Sequence, residues 1–185
     1  MLPLVVEVAQ ARPGYELWRP NRAKASSKST KAVVAIVLLV SAALILIVTI
    51  GGWERLQGPG VGLVSILWAA LYVVSALLIL RWNRGLLPVT AAFAIILAIF
   101  AAIAAPDWFA RDKVGLDSPA LNEDLIGVLT VIIVPVQILL IAVSMIAFSQ
   151  EWHVEEERPI GGTPLAGEDN DPQQAPPGPA AHSAA

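Results

Sequence analysis

LIGVLTVIIVPVQILLIAVSMIAF, residues Leu125–Phe148, decides the fold. It is a run of 24 residues without one Asp, Glu, Lys, Arg or His. A helix rises about 1.5 Å per residue, so roughly 20 such residues cross the hydrocarbon of a bilayer. No period-2 alternation marks the run as a barrel strand, and in lipid the backbone must satisfy its own polar groups. The stretch therefore predicts a transmembrane helix. Two residues at its centre need a reason, Pro135 and Gln137.

Proline removes one helix hydrogen bond and crowds the carbonyl four residues earlier, so a kink is expected at Pro135. A bend would help a helix about 36 Å long fit a thinner hydrocarbon layer. At about 100° per residue, Gln137 lies about 200° from Pro135, so the two do not form one site. Gln137 recurs instead with Thr130 and Ser144 at seven-residue intervals. That spacing predicts an inward polar stripe, in which the amide bonds across to a hydroxyl such as Ser65, Tyr72 or Ser75.

Three further runs have the same character, so four spans are expected, at 32–52, 61–80, 86–105 and 125–148. The chain of 185 residues is 56% hydrophobic and 15% charged, and its charges avoid these runs. A soluble domain would be about a quarter charged. The second span carries Ser65, Trp68, Tyr72 and Ser75 at helical spacing. The third carries Ala91, Ala94, Ala98, Ala101 and Ala105, a small-residue face suited to close helix approach. Ser41 and Thr49 are the only hydroxyls well inside the first. The expected fold is all-α and membrane-integral, an antiparallel bundle of four transmembrane helices with disordered cytoplasmic tails.

Basic residues set the expected threading. Residues 1–31 hold six (Arg12, Arg19, Arg22, Lys24, Lys28, Lys31), and the 81–85 loop adds Arg81 and Arg84. Arg158 is the one basic residue after the fourth span, while the loops 53–60 and 106–124 hold only Arg55, Arg111 and Lys113. Both termini are therefore expected in the cytoplasm, with the first span a retained anchor in the cell membrane rather than a cleaved signal. Trp53, Trp82, Trp108 and Trp152 each follow an apolar run and are expected as interface anchors. The organisation read from these features is a basic segment 1–31, a membrane domain 32–152 and a tail 153–185. That tail is rich in Pro, Gly and Ala and lacks the apolar residues for a core.

Chemistry is sparse. With no cysteine there is no disulfide, thiolate metal site or thiol redox pair. Intramembrane ionisable residues mark proton relays and ion paths, and the spans hold none. The loop 106–124 carries Asp107, Asp112, Asp117, Glu123 and Asp124, but their spacing matches no cation loop, and Arg111 and Lys113 sit among them. Asn122 is expected to cap the fourth helix, with Glu123 and Asp124 favouring its positive end. Asp107–Lys113 has the composition of a short interfacial helix. His153 stands alone as a nitrogen ligand, on a helix end expected to fray at Pro159. No catalytic, cofactor or metal site is read, and the basic arm lacks a folded nucleic-acid module. The expected partners are the lipid bilayer and a second copy or another membrane protein. The expected function is a non-enzymatic scaffold or accessory subunit of a membrane assembly. A small pore or carrier for a neutral or apolar solute is the alternative, and a lipid-acting enzyme using the loop carboxylates a further one.

Overall fold

In a computed structural model, residues 13–110 and 120–160 are described here. The expectations for the outer loop at Arg111, Asp112, Lys113 and Asp117, and for the tail beyond residue 160, lie outside them. The chain divides into two compact units, Arg19–Glu156 and a smaller one from the segments before and after it.

In the smaller unit, β1 (Tyr15–Trp18) pairs with the strand Glu156–Pro159. Arg158 donates to Glu16 at 2.6 Å and lies 5.3 Å from the Trp18 ring centroid. So the start of the segment expected to be disordered is extended and paired, held by cross-strand contacts that composition does not show. That pairing replaces the fraying expected at Pro159.

The larger unit is helical. A single turn, α1 (Pro20–Ala23), leads into α2 (Ala25–Gly51). A 3-10 turn at Trp53–Arg55 precedes α3 (Pro59–Leu80), followed by α4 (Leu86–Phe109) and α5 (Glu123–Ser149). These four helices are long and apolar enough to cross a membrane. All four differ in extent from the expected spans, α3 only by starting two residues earlier. Helix α2 begins seven residues earlier, because the hydroxyls of Ser29 and Thr30 turn back onto Ser26 O at 2.9 and 2.8 Å and leave the backbone helical. Helix α4 runs through Pro106 to Phe109, so Asp107, Trp108 and Phe109 continue this helix instead of starting a separate short one. Helix α5 starts at Glu123, where Asn122 Oδ1 accepts from Asp124 N at 2.8 Å, the expected cap.

Helix α4 packs most extensively on α5, α2 lies against both α3 and α5, and α3 touches α4 only lightly. The buried residues of α5 include Ile126, Thr130, Ile133, Gln137, Leu140, Ser144 and Ala147, at alternating steps of four and three. Opposite them α4 buries Ala91, Ala94, Ala101 and Ala105, four of the five alanines of its stripe; Ala98 is half-buried. An alanine face brings two backbones close and loses no side-chain entropy.

At the end where α2 and α4 finish, glycines lie under aromatic rings. A Cβ built on Gly52 would collide with the buried Trp108 ring, and one on Gly62 with Trp53. One on Gly127 would stand 2.8 Å from Phe109 Cζ. Arg55 and Glu123 form a largely buried ion pair at 3.0 Å, tying the turn after α2 to the first residue of α5. Leu121 N donates to Gly51 O at 3.1 Å and closes the same junction.

Trp108 is 3% exposed and has nowhere to move, whereas Trp53 is 41% exposed and can swing away. Gly52→Ala should therefore lower stability by about 1–3 kcal/mol through overpacking. Gly62→Ala should fall within about 1 kcal/mol of wild type, since alanine is also the better helix former. Thermal unfolding of the two variants in one detergent checks the order; equal losses would show that Trp108 yields as easily as Trp53.

Candidate functional site

The polar side chains of the helix interior converge on Gln137. It sits on the inward stripe of α5 and is fully buried, as are Tyr72 on α3 and Ser41 on α2. Tyr72 Oη donates to Gln137 Oε1 at 2.9 Å, and Gln137 Nε2 donates to Ser41 Oγ at 3.1 Å. Ser41 Oγ in turn donates to Val37 O at 2.8 Å, one turn earlier on its own helix. Each hydroxyl in this relay finds an acceptor, the Gln137 amide bonds through both its oxygen and its nitrogen, and so one amide joins three helices. In an apolar interior such bonds are electrostatically stronger than in water, and leaving one unmade costs more.

A second crossing lies two turns along α5. Thr90 Oγ1 donates to Leu87 O at 2.8 Å, so the 3.4 Å contact between Thr90 Oγ1 and Ser144 Oγ has Ser144 as donor. The remaining candidates do not join the relay through a side chain. Thr130 donates to Ile126 O and Ser65 to Val61 O, each on its own helix, and Ser75 is simply buried. Pro135 lies inside a continuous α5 on an exposed face, apart from Gln137. Among the described residues one buried side-chain polar atom lacks a partner, Trp68 Nε1. Its ring meets Phe93 edge-on at 5.4 Å where α3 and α4 approach.

Two partners were not read from sequence. Sequence shows Ser41 only as a hydroxyl on the first span and gives Thr90 no stripe to belong to. Thr90 is the single polar side chain of α4 between Leu86 and Ala105, and that isolation was the available signal.

A second cluster forms where α3 and α5 end. The last carbonyls of a helix have no partner within it and carry its negative end. Here basic side chains supply the donors. Lys31 Nζ donates to Leu80 O at 3.2 Å and Arg84 Nε and Nη2 to Phe148 O at 3.0 and 2.8 Å, while Arg22 Nε donates to Trp152 O at 3.0 Å in the turn beyond α5. Arg84 Nη1 also lies 2.8 Å from His153 Nδ1, and since arginine only donates, that ring nitrogen accepts. Arg19 pairs with Glu155. Burial, and then the nearby Arg19, lower the Arg22 pKa, with Glu155 offsetting part of the shift. The group stays charged, because a guanidinium does not lose its proton in proteins.

Aromatic rings close this end. Trp82 and Trp152 meet edge to face at 5.2 Å, and Lys31 Nζ stands 3.9 Å from the Trp82 centroid. Trp82 occupies the left-handed region at φ 67°, where its N–H reaches Ile79 O and that of Asn83 reaches Leu78 O. Those two bonds are the helix-ending motif that normally takes glycine. The four expected anchors thus divide. Trp53 is exposed and Trp82 half-buried, while Trp108 and Trp152 are buried within the protein.

No family model matches the chain, and no curated protein or solved structure matches it.

If the relay holds the helices together, Gln137→Leu lowers stability by about 0.6–2 kcal/mol. Tyr72→Phe should be less than additive with it, by about 0.5–2 kcal/mol, because both remove the same bond. A double-mutant cycle in detergent reads this; strict additivity would mean that the two groups do not depend on each other.

Proposed function

We propose that the chain is an integral membrane protein of four spans, an antiparallel bundle with both termini in the cytoplasm of a cell membrane. In this reading it is a non-enzymatic scaffold or accessory subunit of a membrane assembly. The observation that carries the proposal is the direction of the polar groups. Gln137, Tyr72, Ser41, Thr90 and Ser144 face inward, fully buried or nearly so. Outward, the same helices expose Ile36, Leu63, Ile103 and Ile138 at 58–66%. That surface suits lipid or other apolar helices, and water would solvate it poorly. The side chains capping the inner helix ends are also those whose charge favours the cytoplasmic side.

The Gln137 relay supports packing over passage. Its amide is already bonded to Tyr72 and Ser41 and has no exposed surface. A solute path would need those groups free to exchange partners. Among the loop carboxylates that are described, Glu123 is held by Arg55, and Asp107 and Asp124 stand exposed near the ends of α4 and α5, an arrangement that lends the lipid-acting enzyme no support.

Absence of native cysteine gives a clean topology test. Ser26→Cys should react with an impermeant maleimide only from the cytoplasmic side, and Gly58→Cys only from the opposite side. The reverse pattern would overturn the orientation. Purification in mild detergent at native expression should yield a homo-oligomer or a stoichiometric membrane partner. A monodisperse, partner-free monomer would overturn the scaffold reading, as would solute flux in liposomes abolished by Gln137→Leu.

A further inference from the structure

Helices α4 and α5 each carry an internal proline, and both prolines open onto one groove. The groove has a volume of about 530 Å³ and is lined by residues that include Ala102, Ala105, Pro106, Phe109, Val131 and Pro135. A proline has no N–H, so the carbonyl four residues before it loses its helix donor. For Pro106 that carbonyl belongs to Ala102, and for Pro135 to Val131. Both of these residues line the same groove. Ala102 lies seven residues before the end of α4 and Val131 eight residues after the start of α5, so the two carbonyls sit about 10 and 12 Å in from the helix ends.

Two acceptors without helix donors, at one depth and beside one groove, call for a donor there. The lining side chains are all alanine, proline, valine or phenylalanine and supply none. The nearest hydroxyl along α5, Thr130, already donates to Ile126 O. In hydrocarbon a carbonyl left unpaired is costly, and neighbouring helices, hydroxyl side chains, ordered water or a local change of helix pitch normally restore the bond.

We propose that this groove binds a lipid alcohol, whose apolar chain fills the space between Phe109 and Pro135 and whose hydroxyl donates to the carbonyl of Ala102 or to that of Val131. The inference rests on the membrane reading above. An ordinary acyl chain would fill the volume but bring no donor. Water would bring donors but leave the apolar walls wetted. An alcohol on a hydrocarbon chain answers both.

The test uses the full chain in phosphatidylcholine nanodiscs and two probes, a dodecanol with a mid-chain diazirine and the methyl ether of the same molecule. Retention of the protein in carbonate-washed membranes is established first; loss at that step overturns the membrane reading itself and is distinct from failure of the site. After photolysis, peptide mapping should place the alcohol's adducts in 102–109 and 131–135, with the ether labelling about fivefold less, the ratio expected for one net hydrogen bond. The double variant Pro106→Ala, Pro135→Ala restores both helix N–H groups. It should label with the alcohol no better than with the ether, at a thermal stability equal to or above wild type. Ala102→Leu, which fills the groove and keeps the prolines, should reduce both probes together. Equal labelling of wild type by alcohol and ether would overturn the proposal, leaving the groove as a place for any acyl chain. So would adducts mapping elsewhere, or a proline variant that labels like wild type.

Discussion

A primary amide sealed from water must find its partners among neighbouring helices, and the arrangement of this chain is organised around that requirement at Gln137. Its carbonyl takes the Tyr72 hydroxyl and its amino group reaches Ser41, so α2, α3 and α5 are fixed in register at one height. Apolar packing alone tolerates sliding and rotation by small amounts. Two directional bonds from one side chain do not. Helix α4 is joined differently, through the alanine face against α5 and the Thr90–Ser144 contact. The unit thus combines three helices locked by an amide with a fourth held by close approach.

The helix ends obey the same rule by other means. Where α3 and α5 finish, Lys31 and Arg84 cover carbonyls that have no partner inside their helices, and Arg22 holds the turn after α5 at Trp152 O. Trp82 holds a left-handed backbone that costs about 1–3 kcal/mol for a residue of its size. Its ring explains why that conformation persists, packed on Trp152 and beneath Lys31. At the other end the chain uses absence of side chain, with Gly52, Gly62 and Gly127 admitting aromatic rings against the backbone.

What sequence made legible was local and periodic. The steps of three and four on α5 put Thr130, Gln137 and Ser144 on one face, and the alanine repeat did the same for α4; the structure buries both faces. Asn122 was readable because a cap bonds two residues onward. Partners across helices were not. Tyr72 was one of three hydroxyls offered to Gln137, and spacing along one helix cannot say which neighbour arrives at its height. Ser41, Thr90 and the pair Arg55–Glu123 join residues 96, 54 and 68 positions apart. The basic residues were counted for their charge, yet their donors also complete α3 and α5, a role that depends on where those helices stop. The rings of Trp108 and Trp152 follow apolar runs as anchors would, but their burial depends on Gly52 and Trp82, far away in sequence.

The position of Gln137 along the chain also sets an order of assembly. Helices α2 and α3 are neighbours in sequence and in space, as are α4 and α5, and such pairs form early because their closure is short. The amide that unites α2 and α3 with α5 lies in the last of the four helices. During synthesis Ser41 and Tyr72 are made well before it and must wait, with temporary partners or none, until α5 arrives. The first three helices are therefore an unfinished species, with polar groups open to any donor or acceptor nearby. Completing α5 closes that interval and makes the arrangement final.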